Sequence, residues 1–122
     1  MAGTVTVSEV KHTTVKKIHW TWTSSAGGAA DLATTNAYDG LIERVEFIPD
    51  GGGTQPTNAY DVTVVDSASV DVLAALGADL SNAATVTKVH SNGLGAVAGS
   101  TLTLHVTNAG NAKGGQVILY LR

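Results

Sequence analysis

The chain has 122 residues, a net charge of −3 and only 14% charged residues, which suits one domain with a single core and excludes a cationic footprint for nucleic acid. Its 43% hydrophobic content excludes a disordered chain. The sequence has no cysteine, no apolar run near the length of about 20 residues that spans a bilayer, and no basic-then-apolar N-terminus, so it predicts no disulfide, no membrane span and no secretory signal.

Alternation of apolar and polar residues with period two is the dominant pattern. Thr and Val, whose branched side chains suit a pleated sheet, supply most of it. In Val15–Thr23, Ile18 and both tryptophans share one face, whereas in Leu41–Ile48 the acidic Glu43 falls on the apolar side. The strands predicted in this way are, in chain order, Thr4–Val7, Val15–Thr23, Leu41–Ile48, Tyr60–Val65, Ala84–His90, Thr101–Thr107 and Gln116–Arg122.

Weaker signals lie between these runs. They predict a short extra strand at Val70–Leu73 and a single helical turn within Val72–Leu80, which Gly77 interrupts. Gly- and Asn-rich turn chemistry at Asn108–Gly115 predicts a hairpin between the last two strands. Gly93–Ser100 is predicted to be a flexible loop between strands.

About seven to eight short strands separated by turn signals predict an all-β fold, an antiparallel β-sandwich or small barrel. We expect a jelly-roll-like arrangement, although the pattern alone does not separate it from an immunoglobulin-like sandwich. No break in composition marks a second domain, so residues 1–122 are predicted to form one β domain. Residues 1–13 are predicted to be an N-terminal arm, because chain ends are loose unless docked.

Four aspartates stand out in a chain that is poor in charge: Asp61, Asp66, Asp71 and Asp79. An EF-hand loop starting at Asp66 needs oxygen ligands at its third and fifth positions, where this segment has Ala68 and Val70. Aspartates also stabilise turns by accepting hydrogen bonds from nearby backbone N–H groups. We therefore interpret these residues as turn-formers, with a loose Ca²⁺ site at Asp66 and Asp71 as the alternative.

The remaining polar residues form no recognisable catalytic motif. The four histidines have no zinc-ligand spacing, so they are interpreted as surface or interface residues, with a metal pair across neighbouring strands as the alternative. No serine lies in a nucleophile elbow, and the Gly93–Ser100 loop lacks the lysine of a phosphate loop. We expect no catalytic residue, no resident metal and no cofactor, and hence a protein that is not an enzyme.

Trp20 and Trp22 are the only tryptophans in a chain with few aromatic residues. Tryptophans on one strand face stack on a sugar or a base in some binding proteins. In so aromatic-poor a chain, they are better suited to anchor the core or a subunit interface.

Two segments carry a resemblance to a known class of proteins. These are GLIERVEFIPDGGGTQPTNAYDVTVVDSASVDVLAALGADLSNAATV, beginning at Gly40, and GSTLTLHVTNAGNAKGGQVILYLR, at Gly99–Arg122. Together they cover somewhat more than half of the chain, and they resemble small virion structural proteins of tailed bacteriophages, most of all capsid decoration (cement) proteins. One departure is Ser69, which stands where the resembling turn has glycine.

This resemblance implies a protein that binds the outer surface of a phage head and stabilises contacts between capsomers. The implied partner is the major capsid protein, and the implied assembly is a homo-oligomer, with a trimer favoured, because such proteins match the symmetry of the shell. The implied location is the outer capsid surface of the virion, after synthesis in the host cytoplasm. Nucleic acid and membrane are not among the expected partners.

Two other functional classes stay open at this point. One is a tail or head–tail connector protein, and the other is a carbohydrate-binding β-sandwich module that uses its tryptophans. Contacts with the partner are expected from the N-terminal segment or from the loops at Pro49–Pro56 and Ser91–Gly99. The residues predicted to bind the partner are Thr4, Val5, Thr6, Val7, Trp20, Trp22, Asp50, Gly52 and Leu94.

Overall fold

The computed structural model describes residues 3–122, and these residues form nine β-strands in two antiparallel sheets. Two 3₁₀ turns, Gly52–Thr54 and His90–Asn92, are the helical segments within this range. The strands are β1 (Thr4–Val10), β2 (Lys16–Thr23), β3 (Ala30–Ala33), β4 (Tyr38–Pro49), β5 (Asp61–Val65), β6 (Val86–Val89), β7 (Ala96–Ser100), β8 (Thr103–Thr107) and β9 (Gly114–Leu121).

The strands are arranged as nested antiparallel pairs. The first sheet has the order β1-β2-β9-β4-β6, with β7 also pairing β4, and the second has the order β3-β8-β5. Hence β2 pairs β9, β3 pairs β8 and β4 pairs β7, each pair lying inside the previous one along the chain. A long hairpin rolled up in this way gives a jelly-roll sandwich. The predicted all-β, jelly-roll-like fold is therefore confirmed.

One hydrophobic core lies between the two sheets. The inward faces of β2 and β9 contribute Ile18, both tryptophans, Leu119 and Leu121, all essentially inaccessible to solvent. The second sheet contributes the inward residues of β5 and β8, where alternation is strict. Two-residue periodicity therefore buries one face of each strand, as the sequence predicted for these elements.

A β-bulge in β4 changes which residues of that strand face the core. Ile42 pairs with Leu121, but Arg44 pairs with the adjacent Tyr120, so Glu43 is an extra residue. The inward set therefore shifts from even to odd numbers, and Val45 is buried where the unbroken alternation would place Arg44. This bulge explains why Glu43 disrupted the pattern in the sequence.

The segment between β5 and β6 covers the outer edge of β5. Backbone hydrogen bonds run from Val62 N to the Gly77 carbonyl at 2.7 Å and from Val72 N to the Val64 carbonyl at 2.8 Å. These bonds satisfy edge groups that would otherwise be open to another strand. The segment is not regular: four of its residues, Ser69, Ala74, Ala75 and Asp79, have positive φ.

Several sequence predictions are corrected by this arrangement. There are nine strands within residues 3–122 because β3 and β7 were missed, and β7 occupies much of the predicted flexible loop. The predicted hairpin at Asn108–Gly115 is wrong, since β8 and β9 lie in different sheets and the segment crosses between them. The predictions of an extra strand at Val70–Leu73 and of a helical turn within Val72–Leu80 are wrong. Both ranges form irregular turns, with isolated bridges at Asp71 and Leu80.

The predicted arm at residues 1–13 contains β1, and its first two residues lie outside the described residues. Across residues 3–122, no helix has the length and apolar character needed to cross a bilayer.

Candidate interaction surfaces

The N-terminal strand β1 is the outermost strand of the first sheet and pairs with β2 along all seven of its residues. Its side chains alternate strictly, so that Val5 and Val7 pack against the core while Thr4, Thr6 and Ser8 are exposed. On its other side β1 runs beside β3, which belongs to the second sheet. Of the four residues predicted to bind the partner in this strand, Thr4 and Thr6 therefore face solvent, whereas Val5 and Val7 face the core.

Glu9 holds the end of β1 against the turn between β3 and β4. Its carboxylate accepts hydrogen bonds from the backbone N–H groups of Thr35 and Asn36 at 3.0 and 3.1 Å, and from the Tyr38 hydroxyl at 2.8 Å. Partial burial acts to raise the pKa of Glu9, but these hydrogen bonds outweigh it and hold the pKa below its usual value. Burial, together with the bond to Glu9, raises the pKa of Tyr38.

The outer face of the first sheet carries a neutral patch, here called the threonine face. It is built from two neighbouring strands and continues onto β9 and β4, where Thr21 lies opposite Gln116 and Gln116 opposite Ile48. No member of this patch carries a charge. The members are Thr4, Thr6, Thr21, Thr23, Ile48 and Gln116.

The other end of the same face contains an open groove of about 300 Å³, here called the β4 groove. It lies beside the bulge, and the guanidinium of Arg44 stacks 4.4 Å from the centre of the Tyr120 ring. Such a cation–π contact holds the arginine flat over the aromatic surface. The groove is lined by Val15, Glu43, Arg44, Val89, Tyr120 and Arg122.

Exposed apolar side chains concentrate around the β4 groove. Val15 and Val89 line it and are 43% and 41% exposed. Leu41 is 45% exposed and forms a backbone pair with Arg122, another groove residue. A mixed apolar and cationic lining of this kind is typical of a surface that binds another protein.

The β4 groove was not predicted from the sequence, because it depends on the pairing of strands that are distant along the chain. Arg44, Tyr120 and Val89 become neighbours only when β9 and β6 flank β4. The one available signal was Glu43, whose out-of-phase position marked the bulge.

Charge is divided unequally between the two sheets. The second sheet and the connections that flank it carry one basic residue, Lys113, against six aspartates, which are Asp31, Asp50, Asp61, Asp66, Asp71 and Asp79. The rest of the chain, built around the first sheet, holds the other six basic residues and the other four acidic ones. The first-sheet part is net positive and the second-sheet part net negative, although the whole chain is acidic.

The interpretation of the aspartates as turn-formers is confirmed for two of them, Asp66 and Asp71. Asp66 Oδ1 accepts bonds from the N–H groups of Ala68 and Val70 at 2.9 and 3.1 Å. Asp71 accepts three backbone bonds, the shortest at 3.0 Å. Asp61 lies in β5, and its Oδ1 accepts the N–H of Asp79, 18 residues along the chain, at 2.9 Å, so it fastens the β5–β6 segment to the strand instead of forming a local turn. Within residues 3–122, no group of three or more His, Asp or Glu side chains is placed to hold a metal ion.

Two of the four histidines, His19 and His105, lie on the outer faces of strands β2 and β8, whereas His90 lies in a 3₁₀ turn. His19 Nε2 is 2.6 Å from Gln116 Oε1, and His105 Nδ1 is 2.6 Å from Asp31 Oδ1 across the second sheet. Each of these contacts joins neighbouring strands on the outside of its own sheet.

The structure corrects three of the predicted partner-binding residues. Trp20, Trp22 and Leu94 are 0%, 1% and 3% exposed, so their side chains offer no surface to a partner in this fold. Asp50 and Gly52 lie in the exposed turn after β4, where Asp50 Oδ2 accepts a bond from Thr54.

Both tryptophans pack in the core, which is the interpretation that the sequence favoured over sugar stacking. The rings of Trp22 and Tyr60 lie 5.7 Å apart in a tilted arrangement, which joins the two sheets. Both indole N–H groups are buried without an acceptor among the described residues, so these side chains contribute through packed area. Sugar stacking would require an exposed ring face, and neither tryptophan has one.

Comparison of the chain with protein-family models, with curated proteins and with solved structures found no match.

Proposed function

We propose that this chain is a capsid decoration protein, which binds the outer surface of a phage head and stabilises the contacts between capsomers. The sequence resemblance over somewhat more than half of the chain supports this function. The jelly-roll sandwich is compatible with it, since two packed sheets hold an outer face in one conformation.

The observation that carries the proposal is the threonine face. Docking a neutral, Thr-rich sheet face removes no charge from water, so it avoids the desolvation penalty of buried ions. Four of its residues, Thr4, Thr6, Thr21 and Thr23, are exposed and lie on two hydrogen-bonded strands. In this proposal they contact the major capsid protein at the seams of the shell.

A decoration protein acts by mass action and needs no active site. If it binds only the expanded shell, each bound copy shifts the equilibrium between the unexpanded and the expanded shell toward the expanded one. The assembly is proposed to be a homo-oligomer, preferably a trimer, on the outside of a virion whose parts are made in the host cytoplasm.

The first test is the copy number in purified virions, measured by quantitative mass spectrometry against the major capsid protein. A count comparable to that of the capsid protein, retained in heads without tails, is expected. A few copies per particle that are lost together with the tail would overturn the proposal in favour of a tail or connector protein.

The second test locates the contact on the threonine face. Thr21→Glu places a charge at the centre of that face, and we expect it to weaken binding to expanded heads by about tenfold or more. Thr63→Glu, on the outer face of the second sheet, is the matched control and should bind like the wild type. Equal loss in both variants would argue against this face.

A further inference from the structure

Val70 is the most exposed large apolar side chain among the described residues, at 57%. It lies in the turn between Asp66 and Asp71, here called the Val70 turn (residues 66–71). An apolar side chain flanked by two carboxylates is an unusual arrangement in a turn, where polar residues dominate.

The Val70 turn is held rigidly by its own hydrogen bonds. Asp66 N donates to the Val70 carbonyl at 3.0 Å, and Ser69 N donates to the Asp66 carbonyl at 3.0 Å. Ser67 N also donates to Ser100 Oγ at 2.8 Å, which ties the turn to β7. Since the turn is already ordered, presenting Val70 to a partner costs little further conformational entropy.

The β4 groove has the complementary features on the other sheet. Its centre is apolar and aromatic, with Val15, Val89 and the Tyr120 ring. Two arginines, Arg44 and Arg122, line it together with the carboxylate of Glu43. Glu46 lies 3.8 Å from the Arg44 guanidinium, but the Arg44 side chain is 47% exposed, so this weak ion pair leaves the arginine open to a partner. The groove therefore suits an aliphatic side chain that has negative charges on its two sides.

The charges of the two sheets are complementary as well, beyond the Val70 turn and the β4 groove themselves. The part of the chain that bears the Val70 turn has six aspartates and a single basic residue, Lys113, whereas the first-sheet part is net positive. Two copies attract each other when the second sheet of one lies beside the first sheet of the other. They repel each other when the same sheet of both copies is brought together.

We infer that the Val70 turn of one copy docks in the β4 groove of a second copy. Val70 contacts Val89 and Tyr120, and the carboxylates of Asp66 and Asp71 face the two arginines of the groove. The contact is heterologous, because it joins two different surfaces, and each copy has one of each. Such contacts close into a ring when the rotation between copies allows it.

This inference does not rest on the proposed capsid role, since it concerns the purified protein alone. The measurement is the molar mass in solution by light scattering over a concentration series up to about 1 mM, the range of weak contacts. The wild type is expected to associate, and added salt should weaken the association because charges flank the contact.

Two variants separate the two halves of the contact. Arg44→Glu alters the groove and leaves the Val70 turn intact, and Val70→Asp does the reverse. Each alone should raise the dissociation constant by about tenfold or more. Val10→Ser is the matched control, because Val10 is 45% exposed but lies outside the groove, and it should associate like the wild type.

Mixing the two variants gives the decisive result. In the mixture, the Val70→Asp variant supplies an intact groove and the Arg44→Glu variant supplies an intact turn. Only one good contact can form between them, so the mixture should form a 1:1 heterodimer and nothing larger. A wild type that stays monomeric up to about 1 mM would overturn the inference. So would association that survives both substitutions, or a mixture that shows no heterodimer although each variant has a wild-type circular dichroism spectrum.

Discussion

Glu9 on β1 accepts a hydrogen bond from the hydroxyl of Tyr38, the first residue of β4, at 2.8 Å. The same carboxylate accepts two backbone N–H groups from the turn that precedes β4. One ionised side chain therefore links the outermost strand of the first sheet to the connection between the sheets.

Glu9→Gln should lower the free energy of unfolding by about 1–2 kcal/mol at neutral pH, a value reduced for the partial exposure of the group. Because the pKa of Glu9 is lower in the folded protein than in the unfolded chain, this stabilisation is present above the unfolded value, near 4.5. It is lost as the pH falls through the folded pKa. Urea unfolding of both proteins at several pH values should show the difference shrinking below about pH 4.5. A constant difference from neutral to acid pH would contradict this account.

Ser69→Gly should stabilise the protein. Ser69 has φ +62°, a left-handed conformation that a side chain disfavours and glycine adopts freely. We expect a gain of about 0.5–1 kcal/mol in thermal or urea unfolding. Ala68→Gly in the same turn is the control, because Ala68 is not among the positive-φ residues and glycine there only loosens the unfolded chain. Equal effects of the two changes would exclude relief of backbone strain as the cause.

Gly77→Ala should destabilise the protein by about 2–3 kcal/mol. A Cβ atom at Gly77 would lie against the carbonyl oxygen of Val62, so the segment that covers β5 would have to move away. Gly53→Ala is the control, since nothing lies near a Cβ atom there. Hydrogen exchange should show where the stability is lost, because the Val62 N–H should exchange faster in the Gly77→Ala variant. Unchanged exchange at that amide would argue that the segment does not protect the edge.

The two tryptophans should emit as buried residues and should be quenched only weakly by acrylamide. Both are at most 1% exposed in the folded protein. Added sugars should leave the emission and its quenching unchanged, because no tryptophan face is available for stacking. Strong quenching in the native state that sugars reduce would instead favour the carbohydrate-binding alternative. Unfolding in urea provides the positive control, since both side chains then become accessible.

The strands that the sequence predicted well are those with strict alternation of branched residues. The runs around Ile18 and Leu104 have β-branched or aromatic side chains at most positions, so local pattern and tertiary burial agree. By contrast, β3 reads ADLA and β7 reads AVAGS. Small residues of low β-propensity give these short strands no local signal, and pairing with β8 and β4 determines them instead.

The pairing partners could not be predicted from turn chemistry. The Asn- and Gly-rich segment before β9 has the composition of a hairpin turn, but it crosses from one sheet to the other. Turn residues specify only that the chain reverses direction. Which sheet the next strand joins depends on burying the inner faces of the two sheets against each other. For the same reason the aspartate turns, which are local, were predicted, and the β4 groove, which joins three distant strands, was not.

The nested pairing of the strands has a consequence for the order of folding. The central strand β9 ends the fold, and Lys16 near the beginning of the chain pairs with Leu121 near its end. The first sheet is therefore incomplete until Gly114–Leu121 has left the ribosome, because without it β2 and β4 have no common neighbour. Contacts so remote in sequence slow folding to about milliseconds to seconds. A nascent chain of this design reaches its native shape only after Gly114–Leu121 has been made, so a protein that recognises the folded sheet can bind only after this strand is in place.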